Sequence, residues 1–403
     1  MGRRASLVLV AMALWALFLS GCAGARVERL PSGSRLFDPS RQGITATEIV
    51  IGSASALSGH ASFLGTQLNR GAQAYFEEVN RQGGVHNRKI RLVLADDMYE
   101  PVHAVRETQK LLVEKEVFIL FNYVGTPTAE AVLPLVNGAR VPLVGVFTGA
   151  EFLRHPHQPY VFNIRASYNQ ETAVMVEAWL AQGKDDIAVF YQDDSFGLAV
   201  LSGTALALQK YGKEPVALAS FPRGEAPSWQ AVRTIVNANP DAVVMVGTYS
   251  ALAQFVAMAK EAGLTEAEYY TVSFVGSEAL AGELSQYPPE IGENVIITQV
   301  VPDPFDDSLP VVREFQAAFR RHFPGEEFNY VALEGYINAK ILVEALRRAG
   351  ADLDREKLVQ ALESLSGYDV GAGLDITVSS SNHQMFNQVF LSRLVDGKFR
   401  TYR

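Results

Sequence analysis

From residue 48 onward the sequence alternates short β-branched runs with longer stretches whose apolar residues recur every three or four positions. The first run is Ile49-Val50-Ile51-Gly52, and the stretch after it carries apolar residues at helical spacing, Leu64, Leu68, Ala72, Tyr75, Phe76 and Val79. Gly83-Gly84 ends that stretch before the next run at 89–95. Strands and helices that alternate in this way build parallel sheets covered by helices. The pattern therefore predicts an α/β fold.

The alternation falls into two series, which predicts two lobes. The first series has predicted strands at 49–52, 89–95, 117–121 and 141–147, with further helices at 101–115 and 126–139. The second series follows 161–165 and has predicted strands at 187–191, 216–221, 242–247 and 270–276, each followed by a helical stretch. Each series predicts one doubly wound parallel sheet. The periodicity leaves open which sheet the C-terminal third joins.

The N-terminus carries an export signal rather than a domain. Arg3 and Arg4 precede an apolar run at 7–19, which is shorter than the roughly 20 residues that a membrane-spanning helix needs. The run ends in Leu19-Ser20-Gly21-Cys22, which resembles the bacterial lipobox and implies a lipid on Cys22. We therefore expect a lipoprotein signal peptide at 1–22 and a tether at 23–47. The alternative is an exported protein with a coincidental cysteine near its cleavage site.

Composition and motifs exclude several classes of function. The net charge of −9 argues against nucleic acid as a partner. Cys22 is the only cysteine, so the chain forms no internal disulfide. The sequence lacks the Gly-x-Ser-x-Gly, Gly-x-x-x-x-Gly-Lys and His-Glu-x-x-His motifs of hydrolases, nucleotide-binding proteins and zinc peptidases. We expect a protein that is not an enzyme and holds no cofactor or metal ion.

The turns after the predicted strands are the candidate binding loops, because ligands of open parallel sheets bind beyond the carboxyl ends of the strands. Helix N-termini also present free amide groups there. Small, hydroxyl and aromatic residues dominate these turns, which are 57–60, 122–126 and 147–150 in the first lobe and 193–197, 248–250 and 276–278 in the second. This mixture favours a small molecule with a carboxylate or amide end and an apolar or amphipathic remainder.

Several short motifs occur in a characteristic order along the chain. They are Ile51-Gly52, Leu57-Ser58-Gly59, Asn80-Arg81-Gln82-Gly83-Gly84-Val85, Ala95-Asp96-Asp97, Gly125-Thr126-Pro127-Thr128 and Phe196-Gly197. With them the chain resembles the leucine/isoleucine/valine-binding branch of the type I periplasmic-binding fold. The resemblance implies two doubly wound parallel-sheet lobes joined by a three-stranded hinge.

The resemblance also implies where each lobe begins and ends. The N-terminal lobe would comprise 48–166 and 299–376, and the C-terminal lobe 167–298 and 377–403. The crossovers would lie near 165–168, 298–302 and 376–378. The strand near 295–297 and the helices around 311–323 and 330–348 would return the chain to the first lobe.

Site residues follow from the same resemblance. Gly125, Thr126 and Thr148 would bind a ligand carboxylate, and Glu278 would pair with a ligand ammonium group. The walls and the side-chain pocket would be formed by Phe196, Tyr249, Leu64, Tyr123 and Phe147. The usual serine and tyrosine of the family are Gly125 and Phe196 here, so two hydroxyls are missing. A structural interpretation also exists, because threonine caps helices and a glutamate such as Glu278 favours a helix N-terminus.

The implied function is that of an anchored solute receptor on the periplasmic or extracytoplasmic face of the membrane. It would capture an amino acid, branched-chain or related, in the cleft between the lobes, close by hinge motion and deliver it to an ABC permease. Two alternatives stay open. The ligand could be a carboxylate, an amide or a urea-like solute, or the lipoprotein could sense a ligand or contact an envelope partner without transport.

Overall fold

The computed structural model describes residues 38–402, and the chain from Ser40 onward forms one compact unit. The predicted signal peptide, Cys22 and the tether up to residue 37 lie outside the described residues. The end of the predicted tether packs on the compact unit, since the Val50 amide donates to the Gly43 carbonyl over 2.8 Å. The folded unit therefore starts before the predicted boundary at residue 48.

The first sheet has five parallel strands in the order β2-β1-β3-β4-β5. The strands are β1 (Glu48–Ser55), β2 (Lys89–Asp96), β3 (Ile119–Phe121), β4 (Leu143–Val144) and β5 (Val161–Phe162). The helices between them are α1 (Ser62–Arg81), α2 (Pro101–Val113) and α3 (Thr126–Ala139). β4 is shorter than the predicted strand at 141–147, because Gly145 adopts a φ of +72° and turns the chain out of the sheet.

The second sheet has seven strands in the order β12-β11-β10-β9-β8-β6-β7. The strands are β6 (Ile187–Gln192), β7 (Ala217–Phe221), β8 (Ala242–Val246), β9 (Glu268–Thr271), β10 (Val295–Gln299), β11 (Phe390–Val395) and β12 (Lys398–Tyr402). Its helices are α4 (Tyr168–Leu180), α5 (Ser195–Gln209), α6 (Trp229–Asn237), α7 (Tyr249–Glu261) and α8 (Ser277–Leu284). Strands β6 to β10 are parallel, and the C-terminal hairpin of β11 and β12 is antiparallel. The predicted α/β fold with two mostly parallel sheets is confirmed.

The strand near 295–297 was expected to begin the return to the first lobe, and this part of the interpretation is wrong, although the predicted C-terminal lobe of 167–298 includes the strand. Ile296 of β10 pairs with Tyr270 of β9, which places the strand in the second sheet. All five residues of β10 are buried. A fully buried apolar run suits the interior of either sheet, so its composition does not reveal its neighbour.

The chain returns to the first lobe with the helices α9 (Pro310–His322), α10 (Tyr330–Ala349) and α11 (Arg355–Glu363). α10 lies so close to α1 that each helix has a glycine against the backbone of the other. A Cβ atom on Gly71 would lie 1.8 Å from the Ala332 carbonyl oxygen, and one on Gly335 would lie 1.8 Å from the Leu68 carbonyl oxygen. The approach of the two helices therefore depends on glycine at both positions.

Three segments cross between the lobes, at 163–167, 300–309 and 364–389. The first and third run side by side, because the Asn163 amide donates to the His383 carbonyl and the Met385 amide donates to the Asn163 carbonyl, each over 2.8 Å. Between the lobes lies one apolar cluster to which both contribute. This cluster positions the candidate site.

Candidate ligand site between the lobes

Three buried hydroxyl groups meet where α3 and α4 begin. The Thr126 and Thr148 Oγ1 atoms lie 2.6 Å apart, and Thr148 Oγ1 lies 3.2 Å from the Tyr168 hydroxyl. All three side chains are fully buried. We call Thr126, Thr148 and Tyr168 the hydroxyl cluster. A capping box between Ser167 and Gln170 starts α4 and holds Tyr168 in its first turn.

The hydroxyl cluster suits an anionic group. Thr126 is the first residue of α3, and the preceding Gly125 offers no side-chain cap to the free amides of that helix. The helix N-terminus adds a partial positive charge. Burial raises the pKa of Tyr168 to about 12, so its hydroxyl keeps its proton as a donor. A carboxylate would find hydroxyl donors and a helix N-terminus in one place.

Tyr99 occupies the space beside Gly125. A Cβ atom on Gly125 would lie 2.2 Å from Tyr99 Cε2, so the glycine is required by the tyrosine ring. The Tyr99 side chain is fully buried, and burial raises the pKa of its hydroxyl well above the usual value. A tyrosine hydroxyl is therefore present next to the position where the family usually has serine.

An aromatic wall lies beside these hydroxyls and joins the lobes. The Phe274 ring of the second lobe lies 5.6 Å from Phe147 and 6.0 Å from Tyr99 of the first lobe, between ring centroids. It also lies 4.5 Å from Phe196, whose own ring is 5.6 Å from Tyr168. Such aromatic contacts add about 0.5–1.5 kcal/mol each to the burial of the rings. The wall gives the site an apolar side.

A second contact between the lobes involves Leu64 and Tyr249. A Cβ atom on Gly276 would lie 2.7 Å from Leu64 Cδ2. The Tyr249 ring packs edge-on against Phe63 at a centroid distance of 6.4 Å. Both predicted residues therefore face the opposite lobe.

Tyr123 and Glu278 lie elsewhere. The Tyr123 hydroxyl is 2.9 Å from Thr108 Oγ1 inside the first lobe. Glu278 Oε1 accepts from the Tyr330 amide over 3.3 Å, and its side chain lines a pocket of about 210 Å³ together with Phe305 and Lys398. Burial raises the pKa of Glu278 to about 8. The structure brings neither residue to the hydroxyl cluster.

A buried ion pair lies behind the aromatic wall. Arg165 Nε lies 3.1 Å from Glu334 Oε1, with both side chains nearly inaccessible. The guanidinium carbon lies 4.2 Å from the Phe147 ring centroid, and Nη2 donates to Ser273 Oγ over 2.7 Å. Burial raises the pKa of Glu334 to about 7, and the charge of Arg165 opposes this rise. The pair joins the first crossover to α10 and to the second lobe.

Glu171 completes this network from the first turn of α4. Its Oε2 accepts from the Ser273 amide over 2.8 Å and from Thr298 Oγ1 over 2.5 Å. Burial raises its pKa, against the effect of Arg165. The charge of Arg165 therefore acts on two buried carboxylates, of which Glu334 is its ion-pair partner.

Sequence reasoning missed Tyr99, Tyr168, Phe274 and the Arg165 network. Tyr99 follows β2 and Phe274 follows β9, so the rule that ligands bind beyond strand ends could have included both. Arg165 lies on the first crossover and Tyr168 is the first residue of α4. Nothing in their spacing reveals their buried partners.

Two mostly parallel sheets with a buried polar cluster and an aromatic wall between them define a two-lobed solute-binding protein. The chain belongs to the periplasmic binding protein family, whose model matches residues 48–398. The expected family is thereby confirmed. No helix within residues 38–402 is both long and apolar enough to cross a membrane.

Similar proteins from other bacteria support this family assignment. The Leu/Ile/Val-binding protein homolog 7 of Brucella suis is 26% identical over an alignment of 348 positions that covers 81% of this chain and 83% of that protein. A possible leucine/isoleucine/valine-binding protein from Rhodopirellula baltica is 32% identical with a TM-score of 0.84, covering 89% of this chain and 97% of that chain.

A substrate-binding periplasmic protein from Ralstonia solanacearum is 31% identical with a TM-score of 0.82, covering 88% of this chain and all of that chain (100%). These similar proteins are binding proteins rather than enzymes. The chain is a solute receptor of the Leu/Ile/Val-binding type, and its family implies a location outside the cytoplasm.

Proposed function

We propose that the protein is the substrate-binding lipoprotein of an ABC importer and captures an amino acid, branched-chain or related, between its lobes. The observation that carries the proposal is the hydroxyl cluster, fully buried at the start of α3. It would bind the ligand carboxylate, and the aromatic wall would cover the apolar side chain. The names of the relatives from Brucella suis and Rhodopirellula baltica support this class of ligand.

One observation favours a second candidate, a carboxylate without an ammonium group. Glu278, the expected partner of an ammonium, bonds to the Tyr330 amide and lines a pocket that includes no residue of the hydroxyl cluster. A ligand held only by its carboxylate and its apolar body would need no such partner. The two candidates differ in one chemical group, so matched ligands separate them.

The test is calorimetric titration of residues 40–403 with the amino acids, their deaminated acids and their amides. Leucine, 4-methylpentanoate and leucinamide share one carbon skeleton. If the receptor reads a zwitterion, leucine binds and both analogues lose affinity. Binding of 4-methylpentanoate as tight as that of leucine supports the second candidate. Both candidates are contradicted if leucinamide binds as tightly as 4-methylpentanoate. They are also contradicted if none of these compounds binds.

The role of the hydroxyl cluster is tested with Thr148→Val, which keeps the side-chain shape but removes the hydroxyl. We expect the dissociation constant of the bound acid to rise about 10- to 100-fold, because a hydrogen bond to a charged group contributes about 1.5–3 kcal/mol. Thr108→Val is the matched control, since Thr108 is buried and bonds to Tyr123 inside the first lobe. Equal effects of the two changes contradict the assignment.

We further propose that Cys22 carries the lipid that anchors the receptor. The Leu19-Ser20-Gly21-Cys22 run supports this, and two or more acyl chains give stable anchoring where a single chain is marginal. In cells, Cys22→Ser is expected to lose palmitate labelling, to leave the membrane fraction and to lower uptake of the ligand. Ser34→Ala, in the tether, should retain all three. Membrane retention of Cys22→Ser contradicts the anchor, and normal uptake after deletion of the gene favours the sensing alternative.

A further inference from the structure

A strained turn follows β2 and faces the second lobe. Met98 and Tyr99 adopt φ values of +57° and +63°, which residues other than glycine rarely adopt. The Asp96 carboxylate accepts from the Met98 amide over 2.9 Å, and the Asp97 carboxylate accepts from the Tyr99 amide over 2.8 Å. We call residues 97–100 the β2 turn. Its conformation directs the Tyr99 carbonyl and ring toward the opposite lobe.

Arg223, which follows β7 in the second lobe, contacts the β2 turn in three ways. Its Nη2 donates to the Tyr99 carbonyl over 2.6 Å and lies 2.8 Å from Glu100 Oε2. Its guanidinium carbon lies 4.8 Å from the Tyr99 ring centroid. The Arg223 side chain is only 14% exposed. Such a charge-assisted hydrogen bond to a buried carbonyl contributes more free energy to a contact than an exposed ion pair does.

The charge of this arginine acts on carboxylates of both lobes. Burial raises the pKa of Asp97 to about 7 and also raises the pKa of Asp194, and in both cases the charge of Arg223 acts in the opposite direction. Burial lowers the pKa of His60, and Arg223 adds to that effect. Asp97 and Glu100 belong to the first lobe and Asp194 to the second. The charge of Arg223 therefore favours the ionised form of a carboxylate in each lobe.

We propose that Arg223 and the β2 turn form a latch that holds the two lobes together. The latch lies at the edge of the aromatic wall, since Tyr99 contributes to both. It stabilises the closed arrangement through contacts of the protein with itself. The proposal does not depend on which ligand the receptor binds.

The distance between the lobes tests the latch without any ligand. The chain from Ser40 contains no cysteine, so the exposed Val102 on α2 and Gln230 on α6 can be changed to cysteine and spin-labelled. Pulsed electron paramagnetic resonance then gives the distribution of lobe separations. We expect a short separation in the parent and, in Arg223→Gln, a ratio of closed to open molecules about tenfold lower.

Arg348→Gln is the matched control, because Arg348 makes the same three kinds of contact within one lobe. It pairs with Glu344, donates to the Ser364 carbonyl and lies 5.5 Å from the Tyr368 ring. This variant should keep the parent distribution. The latch is wrong if Arg223→Gln matches the parent, if both variants open equally, or if the parent is already open.

Two further measurements keep the test decisive. Should Arg223→Gln unfold, Glu100→Gln removes the ion pair alone and should open the lobes to a smaller extent. In the parent, raising sodium chloride from 50 mM to 1 M should also favour the open form, because salt screens charges at this partly exposed site. If Glu100→Gln and the rise in salt both leave the distribution of lobe separations unchanged, the latch is contradicted. Failure here would leave the proposed ligand class standing.

Discussion

Replacing Arg165 with methionine is expected to lower the free energy of unfolding by about 3–5 kcal/mol at pH 8, because removing one partner of a buried ion pair leaves an uncompensated charge. Arg165 forms an ion pair with Glu334 and its charge also acts on Glu171, and all three side chains are almost completely buried. Methionine fills much of the same volume but supplies neither charge nor hydrogen bonds. Urea unfolding followed by circular dichroism measures the loss.

The pH dependence identifies the cause. The folded-state pKa of Glu334 is about 7, above its ordinary value of 4.5. The folded chain therefore holds this proton at pH values where the unfolded chain has lost it, so the contribution to stability is present below pH 4.5 and is lost as the pH rises through 7. Without Arg165, no positive charge compensates ionised Glu334, so burying this side chain is less costly when its carboxyl keeps its proton. The difference between variant and parent should therefore be smaller at pH 5 than at pH 8.

Two comparisons complete this test. Arg91→Met breaks an exposed ion pair with Glu48 and should change stability by less than about 1 kcal/mol. Adding Glu334→Gln to Arg165→Met should restore part of the loss at pH 8, because one buried charge is removed. A loss for Arg165→Met that is independent of pH would show that packing rather than charge is responsible.

Gly125→Ser is expected to destabilise the protein by about 3 kcal/mol or more, although serine is the residue that the resemblance leads one to expect there. Gly125 has φ +107° and ψ 150°, a region essentially restricted to glycine. The new Cβ atom would also lie 2.2 Å from Tyr99 Cε2. Both the backbone and the tyrosine ring therefore oppose the substitution.

Thermal and urea unfolding measure this loss, and Gly138→Ser is the control. Gly138 lies on the same helix α3, and a Cβ atom there would meet no atom within 4 Å. The double change Gly125→Ser with Tyr99→Ala should recover the part of the loss caused by the ring, but not the part caused by the backbone. Equal stability of Gly125→Ser and Gly138→Ser would contradict the role of the Tyr99 ring.

Helix bounds were predicted best where local chemistry marks them. The prediction for α3 matches its observed bounds, Thr126–Ala139, because Gly-Thr-Pro is a typical helix start. The predicted strand at 270–276 ends at Thr271 and continues as a short 3-10 helix at Ser273–Val275. Apolar residues are buried both in the strand and in the short helix that follows it. Hydrophobicity alone therefore cannot show where such a strand ends.

Part of the buried cluster between the lobes was anticipated from the sequence, and its role in binding stays a prediction. The loop rule and the resemblance together led to Thr126, Thr148, Phe147 and Phe196, which the fold brings into one region. Tyr123 follows a strand in the same way but points into the first lobe, after Asn122 with a φ of +51°. The position of a residue after a strand does not reveal which way its side chain points.

Local sequence patterns were enough to predict the α/β class, the two series of strands and most of the loops at strand ends, because these depend on neighbours within a few residues. The tertiary structure decided what depends on distant partners. It placed β10 beside β9, Arg165 beside Glu334, and Arg223 on the β2 turn. Arg165 and Glu334 are separated by 169 positions in the chain. Nothing local records such a pairing, because its free energy arises only when folding removes both groups from water.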